Sequence, residues 1–152
     1  MKANDIFSHD YFMRQALKEA QAAFEKDEVP VGAVVVCNNK IIARAHNLVE
    51  TLNDPTAHAE MQAITSATNS IGGKYLHECT LYVTVEPCPM CATACFWAQT
   101  GILVYGTPDE KRGFSTISSK LLHPKTQVVK QILANEAAEL MKTFFEKKRK
   151  KY

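Results

Sequence analysis

Residues 79–98 read CTLYVTVEPCPMCATACFWA, and the reading of this stretch decides the fold class. The first seven residues are rich in β-branched and aromatic side chains with no polar alternation, the pattern of a buried strand. CPMCATACFWA then reads as a helix entered through Pro87. A buried strand feeding directly into a helix belongs to a layered α/β domain. The same stretch holds Cys88, Cys91 and Cys95 within one helical segment, a spacing that suits a redox pair, a structural metal knot or half of a catalytic metal site.

Working outward, the flanking segments agree with this class. Upstream, Phe12, Met13, Ala16, Leu17, Ala20 and Phe24 form a helical apolar stripe over 9–25, with Ser8 as N-cap. VGAVVVC and IIARAHN are short β-branched runs separated by Asn38-Asn39-Lys40, which predicts a hairpin. Residues 56–68 read as a helix, with Asp54 as N-cap and Pro55 at its first position. Downstream, GILVYG (101–106) is another strand, and a Gly- and Ser-rich loop leads to a fifth short strand near Val128-Val129. A final helix from about Ala134 places Ala137, Leu140, Met141, Phe144 and Phe145 on one stripe. The sum is an α/β domain around a mixed five-stranded sheet.

At 152 residues, with 46% hydrophobic and 22% charged residues, the chain has the size of a single domain spanning 1–152. Such a chain buries roughly two thirds of its unfolded surface and needs no disulfides to hold a core. No apolar run approaches the ~18 residues of a membrane helix, and residues 1–12 lack the layout of a signal peptide. The expected location is cytoplasmic, where five cysteines stay reduced. An odd count with three clustered points to metal or catalysis. The formal charge of +2 conceals an asymmetry. Lys147, Lys148, Arg149, Lys150 and Lys151 carry five positive charges, so the rest of the chain is net acidic. That run is either a solvated helix end or a phosphate-binding element.

Thirty residues before Cys88, DPTAHAE supplies His58 and Glu60. His-x-Glu followed by Pro-Cys-x-x-Cys is the signature of zinc-dependent deaminases. The residue types suit the chemistry. One imidazole and two thiolates make three protein ligands and leave a fourth tetrahedral position for water. Zinc lowers the pKa of such a water to about 7. Hydrolytic deamination also needs proton traffic, and Glu60 is the carboxylate for it. Positions at helix N-termini favour thiolates at Cys88 and Cys91. Cys95 lies one turn further along and reads as a core thiol, as do Cys37 and Cys79 in their apolar strands. His9 and His77 read as surface or cap residues, His46 as structural, and His123 as a loop residue near the pocket.

VPVGAVVV, Asn47, DPTAHAE, TLYVTVEPCPMC, YGTPDEKRG, LLHP and ILANEAAELMKTFFEKKRKK together resemble the bacterial tRNA-specific adenosine deaminases, over about 10–149. The zinc motifs are shared across the cytidine deaminase-like superfamily, whereas the VPVGAV opening and FFEKKR ending are closer to the tRNA enzymes. The resemblance implies a three-layer α/β/α cytidine deaminase-like fold, a homodimer, one Zn²⁺ per subunit, and conversion of adenosine to inosine at the anticodon wobble position. It also implies zinc ligation by His58, Cys88 and Cys91, with proton transfer by Glu60. Val29 and Pro30 resemble the wall of the base pocket, and Asn47 the residue that hydrogen-bonds the flipped nucleotide. The N–H of Ala59 would face the reacting base, and Asp109, Lys111, Phe145 and Arg149 match contacts to the anticodon loop. Periodicity by itself assigns Phe145 to the core stripe with Met141. Family members commonly carry Arg-Ile where this chain has Gln99 and Thr100.

Two other readings use the same residues. One is deamination of a free base or nucleoside of guanine or cytosine type, which leaves the basic C-terminus without a task. The other is a non-catalytic, zinc-stabilised nucleic-acid-binding module with Cys95 as fourth ligand.

Overall fold

The Ser8 hydroxyl accepts the Tyr11 N–H at 3.0 Å and starts the first helix, α1 (His9–Glu25), satisfying one of its orphan amides. The computed structural model describes residues 7–151. After α1 come β1 (Gly32–Cys37), β2 (Lys40–His46), α2 (Val49–Leu52), α3 (Ala59–Ile71), β3 (Cys79–Val85), α4 (Pro89–Ala98), β4 (Ile102–Thr107), β5 (Gln127–Val129) and α5 (Ala134–Lys151). The β1–β2 hairpin closes through Asn38 and Asn39, both left-handed at φ 53° and 61°. Asparagine tolerates that conformation, and two such residues in succession match the right-handed twist of the strands.

The sheet order is β2-β1-β3-β4-β5. β1 runs antiparallel to both β2 and β3, while β3, β4 and β5 are mutually parallel. The sheet is therefore mixed and five-stranded, as the sequence predicts. Phe12, Met13 and Ala16 of α1 pack on Val34, Val36, Tyr82 and Val104 from one face. The alternate residues Ala33, Val35, Leu81, Val83, Leu103 and Tyr105 meet Ala59, Ala63 and Ala67 of α3 and Ala92 and Cys95 of α4 on the other. α5 joins α1 against β3 and β4. This is the α/β/α three-layer arrangement, with the central strands β1, β3 and β4 buried on both sides and the outer strands β2 and β5 partly exposed. Gly32 lets α1 lie directly on β1, because a Cβ there would collide with the Ala16 carbonyl and the Ala20 amide.

Two helix starts differ from the sequence reading. α3 begins at Ala59 with His58 as its cap, so Asp54 and Pro55 lie outside it. The Asp54 carboxylate accepts from the Thr56 N–H and hydroxyl, both at 2.8 Å, a local turn that competes with helix capping. α4 begins at Pro89, with Cys88 as its cap, and not at Pro87. A residue preceding proline is driven to extended backbone, and Cys88 sits at φ −71°, ψ 169°. Both shifts place a candidate metal ligand at a helix cap. The C-terminal ends of β2, β3 and β4 and the entry to β1 share one edge of the sheet, the position where α/β folds build ligand sites.

Candidate active site

His58 caps α3 and Cys88 caps α4, so both N-termini aim their partial positive charge at one spot. His58 Nδ1 lies 3.6 Å from Cys88 Sγ and 3.6 Å from Cys91 Sγ. A tetrahedral zinc with Zn–S of about 2.3 Å and Zn–N of about 2.0–2.1 Å separates its nitrogen and sulfur ligands by roughly 3.6 Å. The three donor atoms all lie within 4.8 Å of one another and, among the described residues, form the sole cluster with metal-ligand spacing. Cys95 is buried in the core beside Ala92 and Ala98 and is outside that cluster.

Protonation follows from these contacts. The hydrogen bond from the Cys91 thiol pulls Cys88 down to about 4, with His58 assisting and burial opposing. Cys91 is pushed up by the neighbouring Cys88 sulfur first and by burial second. His58 is raised by its bond to Cys88, against burial, with the Glu60 charge adding. The cluster thus holds one thiolate readily, and a divalent cation would take the place of the remaining protons. Glu60, in the first turn of α3, is buried. Burial above all, with the Cys88 charge adding, pushes its carboxyl up to about 7. A carboxyl near neutrality can both accept and return a proton.

Val29, Asn47, Ala59, Asp109, Lys111, Phe145 and Arg149 border the same cleft, of ≈ 1560 Å³, as His58, Glu60 and Cys88. Pro30 does not. The Val31 N–H bonds the Val29 carbonyl at 2.8 Å, and this tight turn leaves Val29 and Val31 on the cleft while Pro30 is buried behind them. Phe144 takes the core position on α5 and Phe145 is exposed at the cleft, so the stripe divides between two tasks. Asn47 is 7% exposed, and its Oδ1 is the one buried side-chain oxygen or nitrogen without a partner among the described residues.

Several minor expectations change. His9 is not a simple surface residue, since its Nδ1 lies 2.8 Å from the Tyr82 hydroxyl. His123 lies away from the cleft, against the Phe96 ring at 5.4 Å, because the loop carrying it folds over α4. Gln99 and Thr100 also lie off the cleft: Gln99 is the left-handed cap of α4 and contacts His77 at 2.7 Å. Two buried carboxylates escaped the sequence reading. Glu28 accepts the Glu50 and Thr51 amides and the Thr51 hydroxyl, and Glu86 accepts from Asp109 and Ser115. Their partners lie more than twenty residues away, so no local pattern announces them.

The sequence profile of the MafB19-like deaminases matches residues 7–149. The tRNA-specific adenosine deaminase of Aquifex aeolicus is 44% identical over 145 residues, covering 92% of this chain and 95% of that protein. The chain belongs to the tRNA-specific adenosine deaminase family. Within this family of hydrolytic deaminases, the Bacillus subtilis enzyme is 44% identical over 147 residues, covering 93% and 91%. A solved structure of a tRNA:A34 deaminase, studied for A-to-I editing at the wobble position, superposes with a TM-score of 0.79 at 40% identity. It covers 86% of this chain and 98% of that one. The deaminase fold and the α/β/α layering agree with the expectation from sequence.

Proposed function

We propose that this deaminase, acting as a single domain over 1–152, converts adenosine to inosine at the wobble position of a tRNA anticodon loop. One observation carries the reading. His58 and Cys88 of the three-residue cluster, together with Glu60, line a cleft whose rim presents Lys111, Arg112, Phe145 and Arg149. Its ≈ 1560 Å³ exceeds the roughly 300–1,000 Å³ of a small-ligand pocket, which favours a polymer over a free base. The names of the relatives point the same way.

The donor set of one imidazole and two thiolates favours zinc among divalent ions. Bound there, zinc would supply an acidified water and stabilise negative charge as it develops on the reacting centre. The protein does the rest. Glu60 takes a proton from the attacking water and delivers it to the ring nitrogen, then takes the proton of the hydroxyl added at the reacting carbon and delivers it to the departing amine, so the carboxylate ends as it began. The Ala59 N–H and the unpartnered Asn47 Oδ1 orient the flipped nucleotide, and Val29 walls the base pocket. A loop base is splayed out at lower cost than one in a duplex and is then read on its edges. Phe145 offers a stacking face, while Lys111 and Arg149 meet phosphates and Asp109 shapes the loop beside them.

The working form is a homodimer. α4 has one polar side chain, Thr93, whose hydroxyl turns back to the Pro89 carbonyl at 2.9 Å; Cys91, Ala92 and Cys95 are buried and Trp97 is left 75% exposed, as expected of a helix with a second packing partner. The proposed site of action is the cytoplasm. No disulfide joins the five cysteines, and no helix among the described residues is long and apolar enough to cross a membrane. The decisive experiment offers the zinc-loaded protein a tRNA with A at the wobble position alongside guanine, cytosine and adenosine, and follows ammonia. Release from the tRNA alone is expected; release from a free base in its place would overturn the reading.

A further inference from the structure

Glu86 follows the last residue of β3, two residues before the candidate ligand Cys88, and is 4% exposed. Among the described residues no basic side chain pairs with it. Its carboxylate is held by one loop instead. Oε1 accepts the Asp109 N–H at 3.0 Å. Oε2 accepts the Ser115 N–H at 3.0 Å and the Ser115 hydroxyl at 2.6 Å. A buried carboxylate is costly unless its lone pairs are met, so these contacts bind the two ends of the 109–115 loop to the end of β3.

The rest of the loop is built on that anchor. The Asp109 side chain accepts the Lys111 and Arg112 amides at 3.1 and 3.0 Å, folding the two cationic residues into the loop tip that borders the cleft. The Phe114 N–H bonds the Pro87 carbonyl at 2.9 Å. Gly113 packs directly on the carboxyl group, where any Cβ would overlap Glu86. Lys111 and Arg112 are therefore referenced to the same short backbone segment, Glu86-Pro87-Cys88, that supplies a metal ligand.

We propose that Glu86 is a positioning residue: its carboxylate sets the place of the Lys111–Arg112 loop relative to the metal site and thereby governs how the RNA backbone is held while the target base is in the pocket. The inference rests on the tRNA reading above. It separates two effects that a general loss of structure would mix. Loosening the loop weakens RNA binding and its salt dependence, while the metal ligands and Glu60, held by the starts of α3 and α4, keep their arrangement.

The test measures kcat and KM of zinc-loaded Glu86→Gln and Glu86→Ala on an anticodon stem-loop with A at the wobble position, over a salt series, with metal content determined alongside. The expected result is full metal occupancy, KM raised about tenfold, kcat changed less than about threefold, and a log–log salt dependence shallower by roughly one to two phosphate contacts. The double substitution Lys111→Ala/Arg112→Ala should cost much less in the Glu86→Ala background than in the parent. Additive losses, or an unchanged KM and salt slope in a folded, metal-loaded Glu86 variant, would overturn the proposal. If the Glu86 variants do not fold, Ser115→Ala and Gly113→Ala act on the same anchor and should raise KM in the same direction; an unchanged KM in both refutes it. Failure of the parent protein to turn over the stem-loop would overturn the substrate reading and this inference with it, whereas parent turnover with an indifferent Glu86 variant overturns the inference alone.

Discussion

Asn47→Ala should separate stability from activity, because the structure gives the side chain a cost in the folded protein without a matching contact. Its backbone N–H is bonded to the Val31 carbonyl at 3.1 Å, so the chain stays anchored when the side chain is removed. Its Oδ1 is buried and unpartnered among the described residues. Holding an unpaired buried acceptor costs about 1–3 kcal/mol. Truncation relieves that cost and loses packing contacts of order 1 kcal/mol, so the net change in unfolding free energy is within about 1 kcal/mol of zero. A buried asparagine with satisfied bonds would instead lose about 2 kcal/mol or more. On the function proposed above, the same oxygen gains its partner in the RNA complex. One hydrogen bond worth about 1–3 kcal/mol in a desolvated site corresponds to a fall in kcat/KM of roughly 5- to 150-fold. Urea denaturation of parent and variant, paired with kinetics on the anticodon stem-loop, measures both numbers. A variant destabilised by more than about 2 kcal/mol with unchanged kcat/KM would show that Oδ1 is paired within the fold and has no part in substrate binding.

Three further perturbations test other parts of the reading. Glu60→Ala should retain stoichiometric zinc while lowering kcat by about 10²–10⁴ or more; retained turnover would remove Glu60 from proton transfer. Deleting 147–152 removes Arg149 and Lys148 from the cleft wall and should weaken tRNA binding and flatten its salt dependence, whereas equal affinity at low and high salt would make the run a solvated helix end. For Glu28, burial raises the carboxyl, but the Thr51 hydroxyl and the Glu50 and Thr51 amides outweigh it, leaving it below its ordinary value. A depressed carboxyl stabilises the fold above its unfolded pKa of about 4.3 and loses that contribution as pH falls through the folded value. Glu28→Gln should therefore cost about 2 kcal/mol at pH 7, with the gap to the parent closing below about pH 4 in urea titrations; a gap independent of pH would mean the charge is irrelevant.

Locally determined features were legible in the sequence. Ser8 capping α1, the Asn38-Asn39 hairpin and the apolar strands follow from short-range chemistry and periodicity. The starts of α3 and α4 were misplaced, Pro55 standing for Ala59 and Pro87 for Pro89, because the Asp54 turn and the restriction before Pro89 compete with the nearest capping pattern. Phe145 shows the limit of periodicity: it shares a stripe with Met141, yet only the packing of α5 against the sheet leaves it at the cleft while Phe144 is buried.

The sequence by itself narrowed the kind of chemistry, since one imidazole, two thiolates and one carboxylate are the residue types that a three-ligand metal site with a proton carrier would use. It did not determine which groups meet. The tertiary structure brought His58 within 3.6 Å of two sulfurs thirty or more residues away, kept Cys95 in the core, and spent Glu28 and Glu86 on holding the cleft's rims. The physical reason is range. Caps, turns and strand patterns arise from neighbours along the chain, whereas a buried carboxylate or an unpartnered amide oxygen acquires its meaning from segments that only folding places beside it.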